Sequence, residues 1–98
     1  MIKMLDVEWS DWLDFNQVTF EKIPKVPGVF MMHAAMKILF IGGSENIKES
    51  IIESSLEKDI SKATRVRYRK EKFFENVKRE LILDFKKRHE GHLPSCMN

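Results

Sequence analysis

Apolar residues occur along this chain in two kinds of spacing, one typical of strands and one typical of helices, which predict a mixture of the two. Residues 28–33 (GVFMMH) and 37–41 (KILFI) are apolar on successive positions and predict a β-hairpin. Because their side chains do not alternate, both faces of the sheet should be covered by helices. Residues 64–69 (TRVRYR) alternate instead, so that Val66 and Tyr68 share one side and the arginines share the other. This alternation predicts a third strand, with Tyr68 packed against the core.

Three other segments carry the helical period. Residues 7–20 place aromatic residues at intervals of three, which predicts a short amphipathic turn whose rings cover one edge of the core: Trp9, Trp12 and Phe15. Ser44 and Asn46 are candidate N-caps for a helix over residues 45–58. A long helix with one apolar stripe is predicted over residues 71–89.

The predicted order is helix, strand, strand, helix, strand, helix. This order indicates a small α+β domain with a three-stranded, largely antiparallel central sheet flanked by helices. A chain of 98 residues has the size of one domain. We therefore predict a single domain over residues 1–98, with residues 1–22 as an N-terminal lead-in.

The sequence also bears on where the protein works. Cys96 is the single cysteine, which excludes an internal disulfide and a multi-cysteine zinc site. The opening residues, MIKMLDVEWSDW, carry acids where a signal peptide has an apolar core, and no apolar run reaches the roughly eighteen residues of a membrane span. We expect a cytoplasmic protein with no membrane partner.

Charge is distributed unevenly along the chain. Residues 1–61 hold six Lys or Arg against ten Asp or Glu, whereas residues 62–98 hold eleven against five. A basic half on a nearly neutral protein favours an anionic partner, of which nucleic acid, DNA or RNA, is the common case. The alternative is that these cations belong to ordinary solvated faces. The candidate nucleic-acid-binding residues are Lys48, Arg65, Arg67, Arg69, Lys70, Lys72 and Arg79.

A glycine pair ends the second hairpin strand, in the segment KILFIGGSENI over residues 37–47. The phosphate-binding patterns GxGxxG and GxxxxGK[ST] are absent, so the sequence indicates no cofactor. Three segments carry a more specific signal: VPGVF at 26–30, LFIGGSENI at 39–47 and ELILDFKKRHEGHLP at 80–94. In this order and spacing, the chain resembles the GIY-YIG nuclease superfamily, including the nuclease domain of the bacterial excision-repair incision protein.

The resemblance implies a catalytic cleft. In this superfamily a tyrosine on each hairpin strand, an arginine on the next helix and a glutamate on a later helix form one site, and the glutamate holds a divalent ion, usually Mg²⁺. The matching positions here are Phe30, Phe40, Ser50 and Glu80. A shift of the last helix by a few residues would make Glu75 the acidic position instead.

Phe30 and Phe40 have no phenolic oxygen, and Ser50 offers no fixed cation, so Glu80 alone keeps its expected chemistry. We therefore expect a catalytically degenerate domain that needs no cofactor and binds nucleic acid through its basic C-terminal half. One alternative is a divergent Mg²⁺-dependent nuclease that uses Glu80 as metal ligand, with a replacement cation from Lys48, Arg65 or Arg67. Another is a protein-interaction module that self-associates, acidic half against basic half.

Overall fold

The structure, a computed structural model, describes residues 9–34, 37–94 and 97. Its strands are β1 Leu13–Asp14, β2 Gly28–Ala34, β3 Lys37–Ser44 and β4 Arg65–Lys70. Its helices are α1 Gln17–Lys22, α2 Ile47–Ser55 and α3 Phe74–Arg88, with a 3-10 turn at Ile60–Lys62. The fold class is α+β, as predicted. Residues 1–8 of the predicted lead-in and Cys96 lie outside the described residues.

The sheet has four strands in the described part of the chain, where the sequence predicted three. Its order is β1-β4-β2-β3, and every neighbouring pair is antiparallel. The additional strand is β1, which pairs Leu13 with Val66 and Asp14 with Arg65. Two residues are too few to show a period of their own, and they form a strand because β4 offers them backbone partners.

The predicted helical turn over residues 7–20 is wrong for its described first half. Residues 9–12 are irregular, and the helix begins only at Gln17. Asn16 caps it, since its side-chain oxygen accepts a hydrogen bond of 3.0 Å from the backbone N–H of Thr19. The evenly spaced aromatic residues therefore lie in irregular segments on either side of β1: Trp9, Trp12 and Phe15.

The two longer helices are confirmed, with shorter bounds than predicted. The side-chain oxygen of Asn46 accepts a 3.1 Å hydrogen bond from the backbone N–H of Glu49, so α2 begins at Ile47. Helix α3 begins at Phe74, and beyond its end Gly91 adopts the left-handed region (φ 88°) that favours glycine. Among the helices of the described residues, none has the length and apolar character needed to cross a membrane.

Helices cover both faces of the sheet, as the apolar hairpin predicted. On one face α1, α2 and the 3-10 turn enclose the core, and Tyr68 packs against this core as expected. The core residues are Phe20, Ile23, Phe30, Met32, Leu39, Ile47, Ile51, Ile60, Ala63 and Val66. On the other face α3 packs on β3, where Phe74 lies against Gly43. Because alternate strand residues share a face, the buried Val29 and Ile41 belong to this second layer. The end of β3 thus lies between α2 and α3.

Candidate functional site

A cleft of about 530 Å³ opens where the end of β3 meets α2 and α3. This volume is in the range of small-molecule sites, roughly 300–1,000 Å³. Three of the four positions that the sequence singled out lie on its wall: Phe30, Phe40 and Ser50. The other lining residues are Gly42, Gly43, Glu53, Ser54, Glu57, Lys58, Asp59, Ile60 and Lys78.

Phe30 and Phe40 form the aromatic floor of this cleft. In the β2–β3 register Phe30 pairs with Gly42, and Phe40 pairs with the residue two positions beyond Phe30, so both rings project from the same face. The ring centroids lie 6.0 Å apart with an interplanar angle of 29°. A Cβ atom on Gly42 would lie 2.7 Å from Cε2 of Phe30 and 2.8 Å from Cε2 of Phe40, so the absence of a side chain at Gly42 makes room for the pair.

The two rings differ in their access to the cleft. Phe30 is 2% exposed and belongs to the core, whereas Phe40 is half-buried and packs on the edge of that core. Phe40 is therefore the ring that a bound molecule would meet. Neither ring carries a group that transfers a proton, so the floor offers contact area and a π face only.

Ser50 lies one turn into α2, and its hydroxyl is committed to the helix start. It donates a 2.6 Å hydrogen bond to Oγ of Ser44, and that same oxygen accepts a 3.0 Å bond from the backbone N–H of Asn46. Ser50 thus stabilises the β3–α2 corner. Its hydroxyl carries no positive charge and cannot replace the guanidinium group of an arginine, which binds phosphate through two parallel hydrogen bonds.

Glu80 does not line this cleft. It is exposed, and it is two residues beyond the cleft residue Lys78, which turns its side chain by roughly 200° around the helix axis. Glu75, the other acidic candidate, is also exposed, but it borders an adjoining groove with Ser44 and Ser50. Of the two glutamates that the sequence left open, Glu75 lies nearer to the Ser50 position.

The donor set does not fit a magnesium ion at Glu80. Within residues 9–34, 37–94 and 97, no three His, Cys, Asp or Glu side chains meet in a way that could hold a metal ion. Mg²⁺ in proteins takes oxygen ligands at near-octahedral positions, usually from one or two carboxylates placed beside substrate phosphates. Glu80 is exposed and lies away from the cleft, and no such group of three side chains forms around it within the described residues.

Lys78 lines the cleft from α3, although the sequence did not predict it as a cleft residue. Its Cβ lies 3.4 Å from the position that a Cβ on Gly43 would take, so α3 and the end of β3 are in close contact there. The signal that could have found it is the spacing of four from Phe74, which places both residues on the sheet-facing side of the helix. One lysine therefore faces the cleft from the α3 side.

The opposite wall of the cleft carries carboxylates. Ser50, Glu53, Ser54 and Glu57 follow a spacing of three, one and three, which puts them on one side of α2 and of the turn after it. With Asp59 the wall holds three carboxylates against the two lysines of the cleft, Lys58 and Lys78. A wall of this sign repels a phosphate group.

No protein-family model, curated protein or solved structure matches this chain. The likeness to the GIY-YIG superfamily therefore depends on the quoted segments and on the shared cleft of Phe30, Phe40 and Ser50. Membership stays a prediction.

Several of the predicted nucleic-acid-binding cations already have partners within the fold. Arg65 lies 3.6 Å from Asp14, and Arg69 forms a 2.6 Å ion pair with Glu71. Lys48 donates a 2.9 Å hydrogen bond to a backbone carbonyl oxygen of α1. None of these cations lines the cleft, so none replaces the missing arginine there.

Arg67 lies between two indole rings. Its guanidinium carbon is 4.7 Å from the ring centroid of Trp9 and 4.6 Å from that of Trp12, and Trp12 in turn lies 4.8 Å from the ring of His33. Burial lowers the pKa of Arg67 from its ordinary value, because the charged form loses hydration. Trp9 and Trp12 of the predicted aromatic cover thus form cation–π contacts with Arg67 over β4, and they leave this side chain only partly exposed to a partner.

Three of the predicted cations remain exposed without a salt bridge to any described residue: Lys70, Lys72 and Arg79. Lys70 ends β4, Lys72 lies in the link to α3, and Arg79 follows within α3. The ammonium of Lys72 lies 5.9 Å from the ring of Phe73, which is itself 66% exposed. Within the basic half, this segment therefore presents exposed cations that can meet an anionic partner.

Proposed function

We propose that this protein is a nuclease-like domain that binds nucleic acid without cutting it. The observation that carries the proposal is the aromatic floor of the cleft, where Phe30 and Phe40 stack in the places that the family resemblance assigns to tyrosines. A cleft with this floor has lost the groups that move a proton during phosphodiester hydrolysis.

The loss is large on the scale of enzyme catalysis. Removing one preorganised electrostatic donor costs about 10²- to 10³-fold in rate, and general acid–base catalysis contributes about 10²- to 10⁴-fold. Groups that act as a unit fail together, so these factors do not simply multiply. The loss of either contribution alone should slow hydrolysis by about 10²-fold or more.

The exposed cations Lys70, Lys72 and Arg79 support the binding half of the proposal. Each phosphate that such a side chain neutralises releases counterions, which adds about −0.9 to the slope of log affinity against log salt for duplex DNA. Contacts of this type read the backbone and not the base sequence. We expect binding that is strong at low salt and weak at high salt.

The experiment incubates the purified protein with labelled single- and double-stranded DNA and RNA, with and without Mg²⁺ or Mn²⁺, and reads retention and cutting on the same samples. The proposal expects salt-sensitive retention with intact label. Cutting that Glu80→Gln abolishes would replace it with the divergent nuclease. No retention, together with a molecular mass that rises with concentration in light scattering, would replace it with self-association.

The proposal also names the residues whose loss should matter. Replacing Lys70, Lys72 and Arg79 with glutamine should lower affinity about tenfold or more and flatten the salt slope. The matched control removes the same charge from exposed lysines of the acidic half: Lys22, Lys25 and Lys37. Equal losses in both triple variants would show that only net charge matters, and would contradict a basic binding segment.

A further inference from the structure

The cleft has a chemical character of its own, because its walls combine a ring, carboxylates and a lysine. Phe40 offers a partly accessible π face, Glu53 and Glu57 offer carboxylate acceptors on the α2 side, and Lys78 offers a cation on the α3 side. Such a cleft suits a planar ligand that donates hydrogen bonds at one end and carries negative charge at the other.

A nucleotide has this combination of groups. The base can stack on an aromatic side chain, since every base has a π face. Amino and imino groups of a base donate hydrogen bonds to carboxylates, and the phosphate carries the negative charge that pairs with a lysine. The carboxylate wall then excludes the phosphate from the base end of the cleft and fixes the direction of the ligand.

We propose that the cleft binds one unpaired guanine nucleotide, with the base on Phe40, its donor edge on Glu53 or Glu57, and its phosphate at Lys78. The proposal rests on the proposed function for its class of partner. Guanine is favoured among the bases because its ring N–H and its adjacent amino group both donate from one edge, which matches the two oxygens of a carboxylate. Uracil has a single ring N–H and no amino group, so it should bind least well.

A rival ligand is the guanidinium of an arginine-rich peptide, which also stacks on rings and pairs with carboxylates. Such a peptide would pair with the carboxylates, but it would leave Lys58 and Lys78 without an anionic partner. The phosphate of a nucleotide, in contrast, can form an ion pair with Lys78. The same cleft residues therefore favour the nucleotide over the peptide.

The experiment titrates the whole protein with guanosine, adenosine, cytidine and uridine monophosphates, and follows binding by calorimetry or NMR. We expect guanosine monophosphate to bind at least tenfold more tightly than uridine monophosphate. N-acetylarginine amide is titrated in parallel. Tighter binding of the arginine compound than of guanosine monophosphate overturns the proposal, as does equal binding of all four nucleotides.

Variants then test each end of the ligand. Lys78→Gln should lower the affinity for guanosine monophosphate and leave that for guanosine unchanged, because guanosine has no phosphate. The double replacement Glu53→Gln and Glu57→Gln should lower the affinity for both compounds about tenfold, whereas Glu21→Gln, an exposed glutamate of α1 outside the cleft, should change neither. Thermal melting of each variant confirms folding, and a Lys78→Gln loss that is equal for both compounds contradicts the assigned direction.

The outcomes separate this inference from the proposed function. Retention of nucleic acid without preference for guanosine monophosphate would overturn the nucleotide cleft and keep the binding module. Binding of guanosine monophosphate without retention of any nucleic acid would overturn the binding module and keep the cleft as a mononucleotide site. If the protein binds neither nucleic acid nor guanosine monophosphate, both proposals are overturned.

Discussion

The rings of Phe30 and Phe40 stack across the β2–β3 hairpin with their centroids 6.0 Å apart, yet Phe30 is almost fully buried and Phe40 is partly exposed to the cleft. Because of this difference in exposure, substitutions at the two positions should change the stability of the protein by different amounts. We therefore expect a hydroxyl added to Phe30 and a hydroxyl added to Phe40 to have different consequences.

Phe30→Tyr should destabilise the protein by about 1–3 kcal/mol, because a buried hydroxyl without a partner loses its hydration. Phe40→Tyr should lie within about 0.5 kcal/mol of the parent, since a half-buried ring can keep its hydroxyl in water. Urea denaturation of the two variants gives the comparison. Equal destabilisation would contradict the assignment of Phe40 to the cleft wall.

Gly28 and Gly42 are both places where a side chain does not fit, for different reasons. A Cβ on Gly28 would meet the backbone carbonyl oxygen of Arg69 in β4, whereas a Cβ on Gly42 would meet the rings of Phe30 and Phe40. Overpacking costs about 1–3 kcal/mol, and a backbone atom yields less than a ring does. Gly28→Ala should therefore be the more destabilising change in a thermal melt, and the reverse order would contradict the tight β2–β4 pairing.

Arg67→Lys should destabilise the protein by about 1 kcal/mol and shift the tryptophan emission. An ammonium does not stack as a plane between Trp9 and Trp12, which are the only two tryptophans of the chain and report this change directly. Arg65→Lys is the control, because its ion pair with Asp14 is exposed on both sides and such pairs contribute about 0–1 kcal/mol. Unchanged emission in Arg67→Lys would contradict the stack.

Asn46→Ala should destabilise the protein by about 1 kcal/mol, because the first turn of α2 loses the side-chain acceptor for the Glu49 N–H. Asn46→Asp keeps an acceptor at the cap and should retain most of the stability. Denaturant titration measures both. A loss in Asn46→Asp equal to that in Asn46→Ala would show that the cap does not act through this hydrogen bond.

Much of the fold could be predicted from the sequence because the hairpin, α2 and α3 carry strong local patterns. The apolar runs at residues 28–33 and 37–41 predicted both the strands and their cover on both faces. β1 could not be predicted, since Leu13 and Asp14 are a strand only in the presence of β4. The pairing of β1 with β4 is a long-range contact, and the sequence around Leu13 and Asp14 carries no local pattern that predicts it.

The candidate site was predicted in part. The family resemblance assigned Phe30, Phe40 and Ser50 to one cleft. The structure brings these three residues together through the hairpin register and the short link from β3 to α2. The contribution of α3 depends on how that helix is rotated about its axis. The family resemblance does not fix this rotation, and in the structure Lys78 faces the cleft where Glu80 was expected.

The measurement that tests the central claim most directly is the length of nucleic acid recovered from the retained complex. Labelled oligonucleotide is bound at low salt with Mg²⁺, the shifted complex is cut out, and the strand is sized on a denaturing gel. We predict full-length label in the complex and its release as salt is raised. Shortened strands from the complex, at a rate that depends on the protein, would contradict a domain that binds without cutting.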